Sequence, residues 1–491
     1  MHGSAGRDGD HLRSVSSILR GATMTPHIAV LGAGISGLSI AYALEQAGMR
    51  VTLFEANARV GGPLRSSRID GYLLEHGPHT LFQRTSALAS LLTELGLDDA
   101  IVDARESASR RYVVRYGRPL ALPQSPAAFL KSELLSTAAK LRLLAEPLIP
   151  AFDREGVDES LANFVERRLG QEVLDYLLDP FVGGTYAGDP RQMSARHTFG
   201  MLKELEDEAG SLVLGALKRK LRTPSSETPP AKRRLLSFTG GLQTLTDALA
   251  AKLHGELKLS ATVTGLRRDE SSWRVLYRRG KSTAGVSVDA IVSTLPSYAL
   301  AELRFKGVTP PERELQRVTN ITFAPCTLVA TGFKREDVAH PLDGFGVLAP
   351  RAEEMHTLGT LFVSSMFPER APRGRVNLTT FVGGARQPEL ALLDDDAVID
   401  LVKFDLNRIL GLRAEPEFVH VSRWERAIPQ FEVGHQLMLD AYASLEEAMP
   451  GVFFAGNTRD TVALPALLNA RHDHAARVTD FLQLATSPAS S

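Results

Sequence analysis

The 491-residue chain contains one cysteine, Cys326, which excludes a disulfide framework and any metal site built from several cysteines. Its net charge is −1, so no overall positive field favours a nucleic-acid partner. No apolar run reaches the roughly 18 residues that a membrane-spanning helix requires. Cys326 lies in the apolar stretch APCTLVATGF, where we expect a buried small side chain rather than a reactive thiol, and a reducing cytoplasm fits this cysteine usage.

The composition is that of an ordinary globular protein, with 44% hydrophobic and 23% charged residues. A chain of this length exceeds what one core can hold, so we expect two or three lobes. The N-terminal segment 1–26 is polar and lacks the apolar segment of a secretory signal. We expect a disordered tail there, and Met24 is a candidate start because the first strand begins at His27.

Hydrophobic periodicity separates helix-rich from strand-rich stretches. The expected helical stretches are 84–104, most of 126–220, and 395–411; the expected strand stretches are 259–280, 286–296 and 319–384. The Pro- and Ser-rich segment 218–234 carries basic clusters at both ends, 218–222 and 232–234, and we expect a mobile loop. No repeat of solenoid period is present.

A strand, a glycine-rich turn, a helix and a second strand follow one another in His27–Ala56. The turn has the form GxGxxG, and the acidic Glu55 ends the second strand. That context predicts a dinucleotide site, with the pyrophosphate at the turn and Glu55 on both hydroxyls of an unphosphorylated adenosine ribose. The turn comprises Gly32, Ala33, Gly34, Ile35, Ser36 and Gly37.

The next stretch, Ala58–Phe82, resembles the second flavin fingerprint of the amine-oxidase and protoporphyrinogen-oxidase superfamily. Arg59, Gly61 and Gly62 match its R-x-G-G, and a cationic Arg59 beside a pyrophosphate is physically sensible. Further matches follow in the family's order, and the chain is identified as a member of the oxygen-dependent protoporphyrinogen oxidase family. They are Gly71, Glu75, Gly77, Pro78, and the blocks Arg110–Leu144, Asp158–Pro190, Leu235–Leu249, Asp343–Leu390 and Arg423–His435.

The resemblance implies FAD as cofactor and a porphyrinogen as substrate, oxidised in three hydride transfers with molecular oxygen as acceptor and hydrogen peroxide as product. It implies that Arg111, with Arg110 as its adjacent competitor, pairs with a substrate propionate. It implies that the substrate passes close to the backbone of Gly183 and Gly184, and that three apolar residues sandwich the macrocycle. Those are Leu348, Leu361 and Phe381. The FAD contacts implied by the match outside the first turn are Arg59, Gly62, Gly77, Pro78, His79, Thr80, Val263, Asn457, Val462, Ala463 and Leu464.

The segment VFFAGNTRDTVALP (Val452–Pro465) reads as a strand that runs into a helix start, with Asp460 or Thr461 as N-cap and Pro465 in the first turn. The family resemblance implies that this helix start meets the flavin ring. Asp460 stands where family members commonly have glycine. Its carboxylate either caps the helix or lies near the flavin and lowers its reduction potential, and the sequence leaves both interpretations open. His472 and His474, which are too close in sequence to share a metal on one helix face, form no metal-ligand motif, and we expect solvated side chains.

The expected fold class is α/β with α+β lobes: a Rossmann-type FAD-binding lobe built from discontinuous segments, a mixed-sheet substrate lobe and a helical insertion. The expected FAD-binding domain is 27–100, 235–300 and 420–485, the substrate-binding domain is 101–120 and 301–419, and the helical domain is 121–234.

The leading function is oxidation of protoporphyrinogen IX in tetrapyrrole biosynthesis. Oxidation of coproporphyrinogen III, a diverged amine or small-molecule oxidase, and a non-catalytic porphyrin carrier are alternatives. The basic clusters predict a solvated loop, with contact to anionic lipid as the alternative because the family is often peripheral to membranes. We expect a cytoplasmic location, with peripheral attachment to the inner membrane under that alternative. The resemblance also implies a homodimer; we expect no metal.

Overall fold

The computed structural model describes residues 25–151, 157–222 and 234–486, so most of the expected N-terminal tail and residues 223–233 of the expected loop lie outside the described residues. The strands are β1 (His27–Leu31), β2 (Arg50–Phe54), β3 (Ser66–Ile69), β4 (Tyr72–Glu75), β5 (Leu81–Gln83), β6 (Ile101–Asp103), β7 (Tyr112–Arg115), β8 (Arg118–Ala121), β9 (Arg234–Phe238), β10 (Glu256–Lys258), β11 (Thr262–Arg268), β12 (Trp273–Arg279), β13 (Ser282–Val288), β14 (Ala290–Ser293), β15 (Arg304–Lys306), β16 (Phe323–Lys334), β17 (Gly346–Leu348), β18 (Thr357–Leu361), β19 (Arg375–Gly383), β20 (Phe418–Pro429) and β21 (Val452–Phe454).

The helices alternate with these strands and concentrate between β8 and β9. They are α1 (Ile35–Gln46), α2 (Ser86–Glu94), α3 (Pro126–Lys131), α4 (Thr137–Leu144), α5 (Leu161–Leu169), α6 (Gln171–Val173), α7 (Asp179–Tyr186), α8 (Ala195–Ala209), α9 (Leu212–Arg222), α10 (Gln243–Lys252), α11 (Ser297–Leu300), α12 (Glu312–Thr319), α13 (Val363–Met366), α14 (Pro388–Ala391), α15 (Asp395–Leu410), α16 (His435–Ala448) and α17 (Leu464–Thr486). A π-helical turn, Leu174–Leu178, joins α6 to α7. No helix in the described part of the chain is long and apolar enough to cross a bilayer.

A five-stranded parallel sheet, in the order β10-β2-β1-β14-β21, carries the glycine-rich turn. β1 is buried at every residue, as expected for a strand covered on both faces. The strands of this sheet come from distant parts of the chain, because β10, β14 and β21 lie far beyond β1 and β2 in the sequence. The predicted fold class, with a discontinuous Rossmann-type lobe, is therefore confirmed.

A seven-stranded mixed sheet, in the order β20-β16-β19-β18-β17-β7-β8, forms the second lobe. β7 runs parallel to β17, and the other pairs are antiparallel. This pairing brings the early hairpin of β7 and β8 beside strands that follow much later in the chain. β20 lies largely within the segment 420–485 expected in the FAD-binding domain, yet it pairs along its length with β16, which favours a boundary after Pro429.

Two local predictions are corrected. The helix expected at 84–104 spans only Ser86–Glu94, because Gly96 adopts a φ of 73° and Ile101–Asp103 pairs with β9 as strand β6. Residues 218–222, expected in a loop, are the last turn of α9. The basic side chains of that turn suit a helix C-terminus, where they face the negative end of the helix dipole.

Candidate active site

The glycine-rich turn between β1 and α1 is shaped by close backbone approach. A Cβ atom at Gly37 would lie 1.8 Å from the Gly32 carbonyl oxygen and 2.9 Å from Thr294 Oγ1, so helix and turn pack as closely as the motif requires. Gly32 has a φ of +96°. Gly34 precedes α1, has no side-chain cap, and faces open space where a Cβ would meet nothing within 4 Å. The turn thus offers a cradle beside a helix N-terminus, which suits an anionic group.

Glu55 follows β2 directly, lies against this turn and is buried. Its Oε2 accepts a hydrogen bond from the Ala33 backbone N–H at 2.9 Å. Its Oε1 accepts from the backbone N–H of Asn57 at 2.9 Å and from its side-chain amide at 2.7 Å. These donors fix the carboxylate beside the turn, where the sequence places the adenosine ribose.

Val263 lies at an irregularity between β11 and β12, just after a segment that is tied to the end of β2. The backbone N–H of Ala261 donates to the Glu55 carbonyl oxygen at 2.8 Å, and that of Ser260 donates to the Asn57 carbonyl oxygen at 2.9 Å. The chain leading to Val263 is thereby held near the Glu55 carboxylate, where an adenine ring would follow the ribose. The adenine contact of Val263 remains a prediction.

The Arg59–Gly62 turn stacks on the glycine-rich turn. The Gly61 N–H donates to the Ala33 carbonyl oxygen at 2.8 Å, and Gly34 and Gly61 form a parallel bridge. The Arg59 guanidinium donates to the carbonyl oxygens of Val60 at 2.9 Å and Gly62 at 2.6 Å. Arg59 therefore braces its own turn, and its predicted pairing with a pyrophosphate would use the remaining guanidinium donors.

The segment that follows β4 packs between the turn at Pro63 and the seven-stranded sheet. A Cβ at Gly77 would lie 2.4 Å from the Pro63 carbonyl oxygen. The His79 Nδ1 donates to the Gly77 carbonyl oxygen at 2.9 Å, and burial lowers the pKa of His79 to about 4, so its ring is neutral and Nε2 carries no proton. That Nε2 is buried without a partner among the described residues. Pro78 is exposed and Thr80 is half-buried.

The C-terminal segment joins β21 to α17 at the edge of the same parallel sheet. Asn457 and Val462 are half-buried in the connection, Ala463 is exposed, and Leu464 is the first residue of the helix. All lie in the short connection that follows β21, whose neighbour β14 pairs directly with β1. Their contacts with the flavin remain predictions.

The expected N-cap is wrong. The helix begins at Leu464, so neither Asp460 nor Thr461 is the N-cap, and Pro465 is its second residue. Thr461 Oγ1 instead accepts from the Ala463 N–H at 3.1 Å, as in a Ser/Thr turn. The Ala463 donor, expected to face the flavin, is therefore satisfied within the chain.

Asp460 turns back toward its own loop and toward α17. Its Oδ2 accepts from the Gly456 N–H at 2.7 Å and lies 3.0 Å from His474 Nε2. His474 is therefore buried and partnered, which corrects the expectation of a solvated side chain; His472 is exposed, as expected. The arrangement supports a structural role for Asp460, different from the helix cap that was one of the two interpretations of the sequence.

The strand register brings the three expected macrocycle residues to one face of the seven-stranded sheet. Leu348 on β17 pairs with Gly359 on β18, and Gly359 pairs with Phe381 on β19. Leu361 pairs with Gly346, which lies on the same face of β17 as Leu348. Because directly opposed residues, and alternate residues of one strand, share a face, all three side chains emerge on the same side. Each is only partly buried, so an apolar, accessible face results.

Two neighbouring segments flank this face. A Cβ at Gly184 would lie 2.4 Å from Leu348 Cδ2, so the end of α7 lies directly against Leu348. Gly183 is buried and Gly184 is exposed. The ring of Phe381 contacts His79 edge to face, with centroids 5.7 Å apart. The apolar face thus lies between the glycine pair and the segment expected to contact the flavin.

Arg110 and Arg111 are distinguished by their partners. Arg110 forms an ion pair with Asp343, which also accepts from the Tyr112 hydroxyl at 2.6 Å. Arg111 is exposed, its guanidinium carbon lies 5.2 Å from the Phe345 ring centroid, and no ion-pair partner for it occurs among the described residues. Arg111 is therefore the one of the two that is available to bind an anion, and its contact with a propionate remains a prediction.

Thr294, at the end of β14, is a site residue that the sequence reasoning missed. Its hydroxyl lies 2.9 Å from the Leu31 carbonyl oxygen and 3.1 Å from that of Gly32, and it supports the glycine-rich turn from below. The only signal in the sequence is a hydroxyl residue at the end of an apolar strand, which many unrelated strands share.

Comparison with known proteins agrees with this geometry. The model for flavin-containing amine oxidoreductases matches residues 35–463. The mitochondrial protoporphyrinogen oxidase of Nicotiana tabacum is 37% identical over 481 residues, which cover 93% of this chain and 95% of that protein. The coproporphyrinogen III oxidase of Bacillus subtilis is 28% identical over 455 residues, covering 89% and 95%. An Exiguobacterium crystal structure described as a candidate protoporphyrinogen oxidase superposes with a TM-score of 0.76 at 24% identity, over 94% of this chain and all of that chain, and supports the fold.

The residues present fit the FAD that this family binds. The open cradle at Gly34 beside an uncapped helix start suits a pyrophosphate, and the fixed carboxylate of Glu55 suits ribose hydroxyls. The chain is an FAD-dependent oxidoreductase and belongs to the protoporphyrinogen oxidase family of the flavin-containing amine oxidoreductases.

Proposed function

We propose that this protein oxidises protoporphyrinogen IX to protoporphyrin IX in tetrapyrrole biosynthesis, with FAD as its redox group and molecular oxygen as the final acceptor. The observation that carries the proposal is the apolar sheet face of Leu348, Leu361 and Phe381, which Gly184 flanks. Arg111, which has no ion-pair partner among the described residues, lies over the ring of Phe345, the residue before β17. We call the space between this face and the glycine pair Gly183 and Gly184 the macrocycle slot. An apolar slot with few polar groups suits a large flat macrocycle.

The chain's own residues bind and orient rather than transfer protons. FAD, when bound, supplies the hydride acceptor. The apolar side chains of the face exclude water from the macrocycle, and the Arg111 guanidinium can hold a propionate in two parallel hydrogen bonds, which fixes the ring's rotation in its plane. The buried His79 ring stays neutral and so leaves no charge behind Phe381.

The ion pairs of three arginines favour a substrate with two propionates over coproporphyrinogen III, which carries four. Beside the proposed slot, Arg110 is paired with Asp343, and Arg386 is paired with Asp179 at 2.7 Å. Of these three arginines, only Arg111 has no carboxylate partner in the described part of the chain. The coproporphyrinogen III oxidase relatives keep that substrate as the competing proposal.

The test is to mix purified holoprotein anaerobically with each porphyrinogen and follow the visible absorbance of the bound flavin. We expect protoporphyrinogen IX to bleach it rapidly, coproporphyrinogen III more slowly, and putrescine not at all. In air, turnover should release one hydrogen peroxide per hydride. Faster bleaching by coproporphyrinogen III would reverse the substrate assignment, and bleaching only by the amine would refute a porphyrinogen function. Flavin that stays oxidised with every substrate, or absent flavin, would favour a porphyrin carrier.

We also propose peripheral membrane contact through the helical segment, which comprises the helices α3 to α9 between β8 and β9. Leu217 and Leu221 are exposed on α9, one turn apart, among basic side chains of the same helix. Leu144 at the end of α4 and Leu148 just beyond it are exposed too. An apolar patch with basic residues suits an anionic lipid surface. A homodimer, implied by the family resemblance, and a cytoplasmic location, which fits the cysteine usage, remain predictions.

Flotation with phosphatidylglycerol vesicles tests the membrane contact. We expect the wild-type protein to float with the vesicles, and the double variant Leu217→Ser and Leu221→Ser to stay at the bottom of the gradient. Leu392→Ser, which removes an exposed leucine beside the seven-stranded sheet, is the matched control and should float. Loss of flotation in that control, or flotation of the double variant, would contradict the assigned surface.

A further inference from the structure

A buried ion pair connects the helical segment to the seven-stranded sheet. Asp179, the first residue of α7, and Arg386, just beyond β19, are each almost fully buried. The Arg386 Nη1 donates to Asp179 Oδ2 at 2.7 Å. A buried charge that loses its partner destabilises the fold strongly, so the two side chains must stay in contact. Their contact therefore fixes the distance between the backbones that carry them.

The same pair also fastens the end of β17. Asp179 Oδ2 accepts a second hydrogen bond from the Arg351 N–H at 2.9 Å, and Arg386 Nη2 donates to the Ala349 carbonyl oxygen at 3.1 Å. Ala349 directly follows Leu348. Three segments therefore meet at one pair of charges: the start of α7, the end of β17 and the turn after β19.

These segments carry the walls of the proposed macrocycle slot. Gly183 and Gly184 belong to α7, and Leu348 ends β17. A Cβ at Gly183 would lie 3.3 Å from the Arg386 guanidinium carbon, and a Cβ at Gly184 would lie 2.4 Å from Leu348 Cδ2. The glycine pair therefore packs closely between the Arg386 guanidinium on one side and the Leu348 side chain on the other.

We propose that the Asp179–Arg386 pair is a positioning device that sets the separation between the glycine pair of α7 and the apolar face of Leu348 and Phe381, and so sets the fit of the slot to a planar macrocycle. The inference rests on the proposed porphyrinogen oxidase function. The pair does not touch the substrate. It acts through the backbone of α7 and β17, so its removal should loosen macrocycle binding without disturbing the FAD cradle, which belongs to the other sheet.

The test compares Arg386→Gln with a matched control, Arg168→Gln. Arg168 forms a fully buried pair with Glu146 inside the helical segment, and none of its hydrogen-bond partners is a slot residue. Both changes break a buried charge pair and should lower the thermal unfolding temperature. Only Arg386→Gln should raise the KM for protoporphyrinogen IX and the Kd for protoporphyrin IX, measured by fluorescence quenching, by about 10-fold to 100-fold.

Further readouts separate positioning from general loss of structure. FAD content and the rate at which oxygen reoxidises the dithionite-reduced flavin should stay at wild-type values in Arg386→Gln. The double variant Asp179→Asn with Arg386→Gln removes both charges. It should unfold at a higher temperature than Arg386→Gln alone, while its KM stays raised. An unchanged KM and Kd in Arg386→Gln, or an equal rise in Arg168→Gln, would overturn the inference.

Failure of the proposed function is distinguishable from failure of the positioning role. A wild-type protein that does not oxidise porphyrinogens but binds protoporphyrin IX refutes the function, and the Kd comparison still decides the role of the ion pair. A wild-type protein that neither oxidises nor binds the macrocycle overturns both.

Discussion

Two glycines of the same turn should respond differently to substitution by alanine, one by a loss of stability and the other by weaker FAD binding. At Gly37 the new Cβ would lie 1.8 Å from the Gly32 carbonyl oxygen, and a clash with a backbone atom is not relieved by a change of side-chain rotamer. At Gly34 the new Cβ meets no protein atom within 4 Å, and the φ of −71° and ψ of −179° suit alanine. One substitution therefore acts on the protein fold and the other on the space reserved for the ligand.

The magnitudes follow from these contacts. For Gly37→Ala we expect the free energy of unfolding of the apoprotein to fall by about 1–3 kcal/mol or more, as for overpacking of a rigid core. For Gly34→Ala we expect at most about 1 kcal/mol from the change of N-cap residue. A methyl group in the cradle should cost at least one hydrogen bond to a charged phosphate, about 1.5–3 kcal/mol, so FAD should bind about 10-fold to 150-fold more weakly.

The assay is paired titration and unfolding of flavin-free protein. FAD binding is followed by quenching of flavin fluorescence, and apoprotein stability by urea unfolding. Gly200→Ala, which also meets nothing within 4 Å but lies on α8, is the control and should leave FAD binding unchanged. Wild-type FAD affinity in Gly34→Ala would refute the placement of the pyrophosphate, and wild-type stability in Gly37→Ala would refute the packing argument.

Three further outcomes follow from single side chains. Arg111→Ala should raise the KM for protoporphyrinogen IX by about 10-fold or more, from loss of a charge-assisted hydrogen bond; Arg110→Ala, which loses a surface pair with Asp343, should raise it less than about threefold. Burial raises the pKa of Glu75 from 4.5 to about 7, so between these pH values the folded state holds a proton that the unfolded state has lost. The folded state should therefore lose about 3 kcal/mol of stability as the pH rises from 4.5 through 7. Urea unfolding of wild type and Glu75→Gln at pH 5 and pH 8 should show this loss in the difference between their free energies of unfolding, and a constant difference would contradict it. Burial raises the pKa of Cys326 to about 12, so iodoacetamide at pH 8 should label it only after unfolding, and labelling of the native protein would show that the thiol is accessible.

The elements that the sequence predicted well are those whose determinants are local. For β1, the glycine-rich turn and α1, the sequence signals that predict them lie within the one continuous segment His27–Glu55: an apolar strand, spaced glycines and an acid after the next strand. The same holds for α15, predicted at 395–411 and found at Asp395–Leu410, with Asp394 as its N-cap. A periodic pattern with a cap at its start leaves little for tertiary structure to decide.

The errors arise where a tertiary contact decides a local outcome. The end of the predicted helix 84–104 becomes strand β6 because β9, which lies beyond the whole helical segment in the sequence, offers a free edge to pair with. Likewise, no pattern near Arg111 reveals that Arg110 is bound to Asp343, since the pairing of β7 with β17 brings those residues together. Pairing of distant segments is a property of the topology, and a single sequence does not show it.

Asp460 shows how such a contact changes a chemical interpretation. As an isolated carboxylate beside a flavin it would repel negative charge on the reduced ring. In the structure its Oδ2 is held by the Gly456 N–H and lies 3.0 Å from His474 Nε2, while Arg477 lies 3.4 Å from the other nitrogen of that histidine. An Nε2–H donor and a nearby guanidinium offset much of the carboxylate's field. The Asp460 carboxylate therefore closes a turn and connects it to α17 through His474.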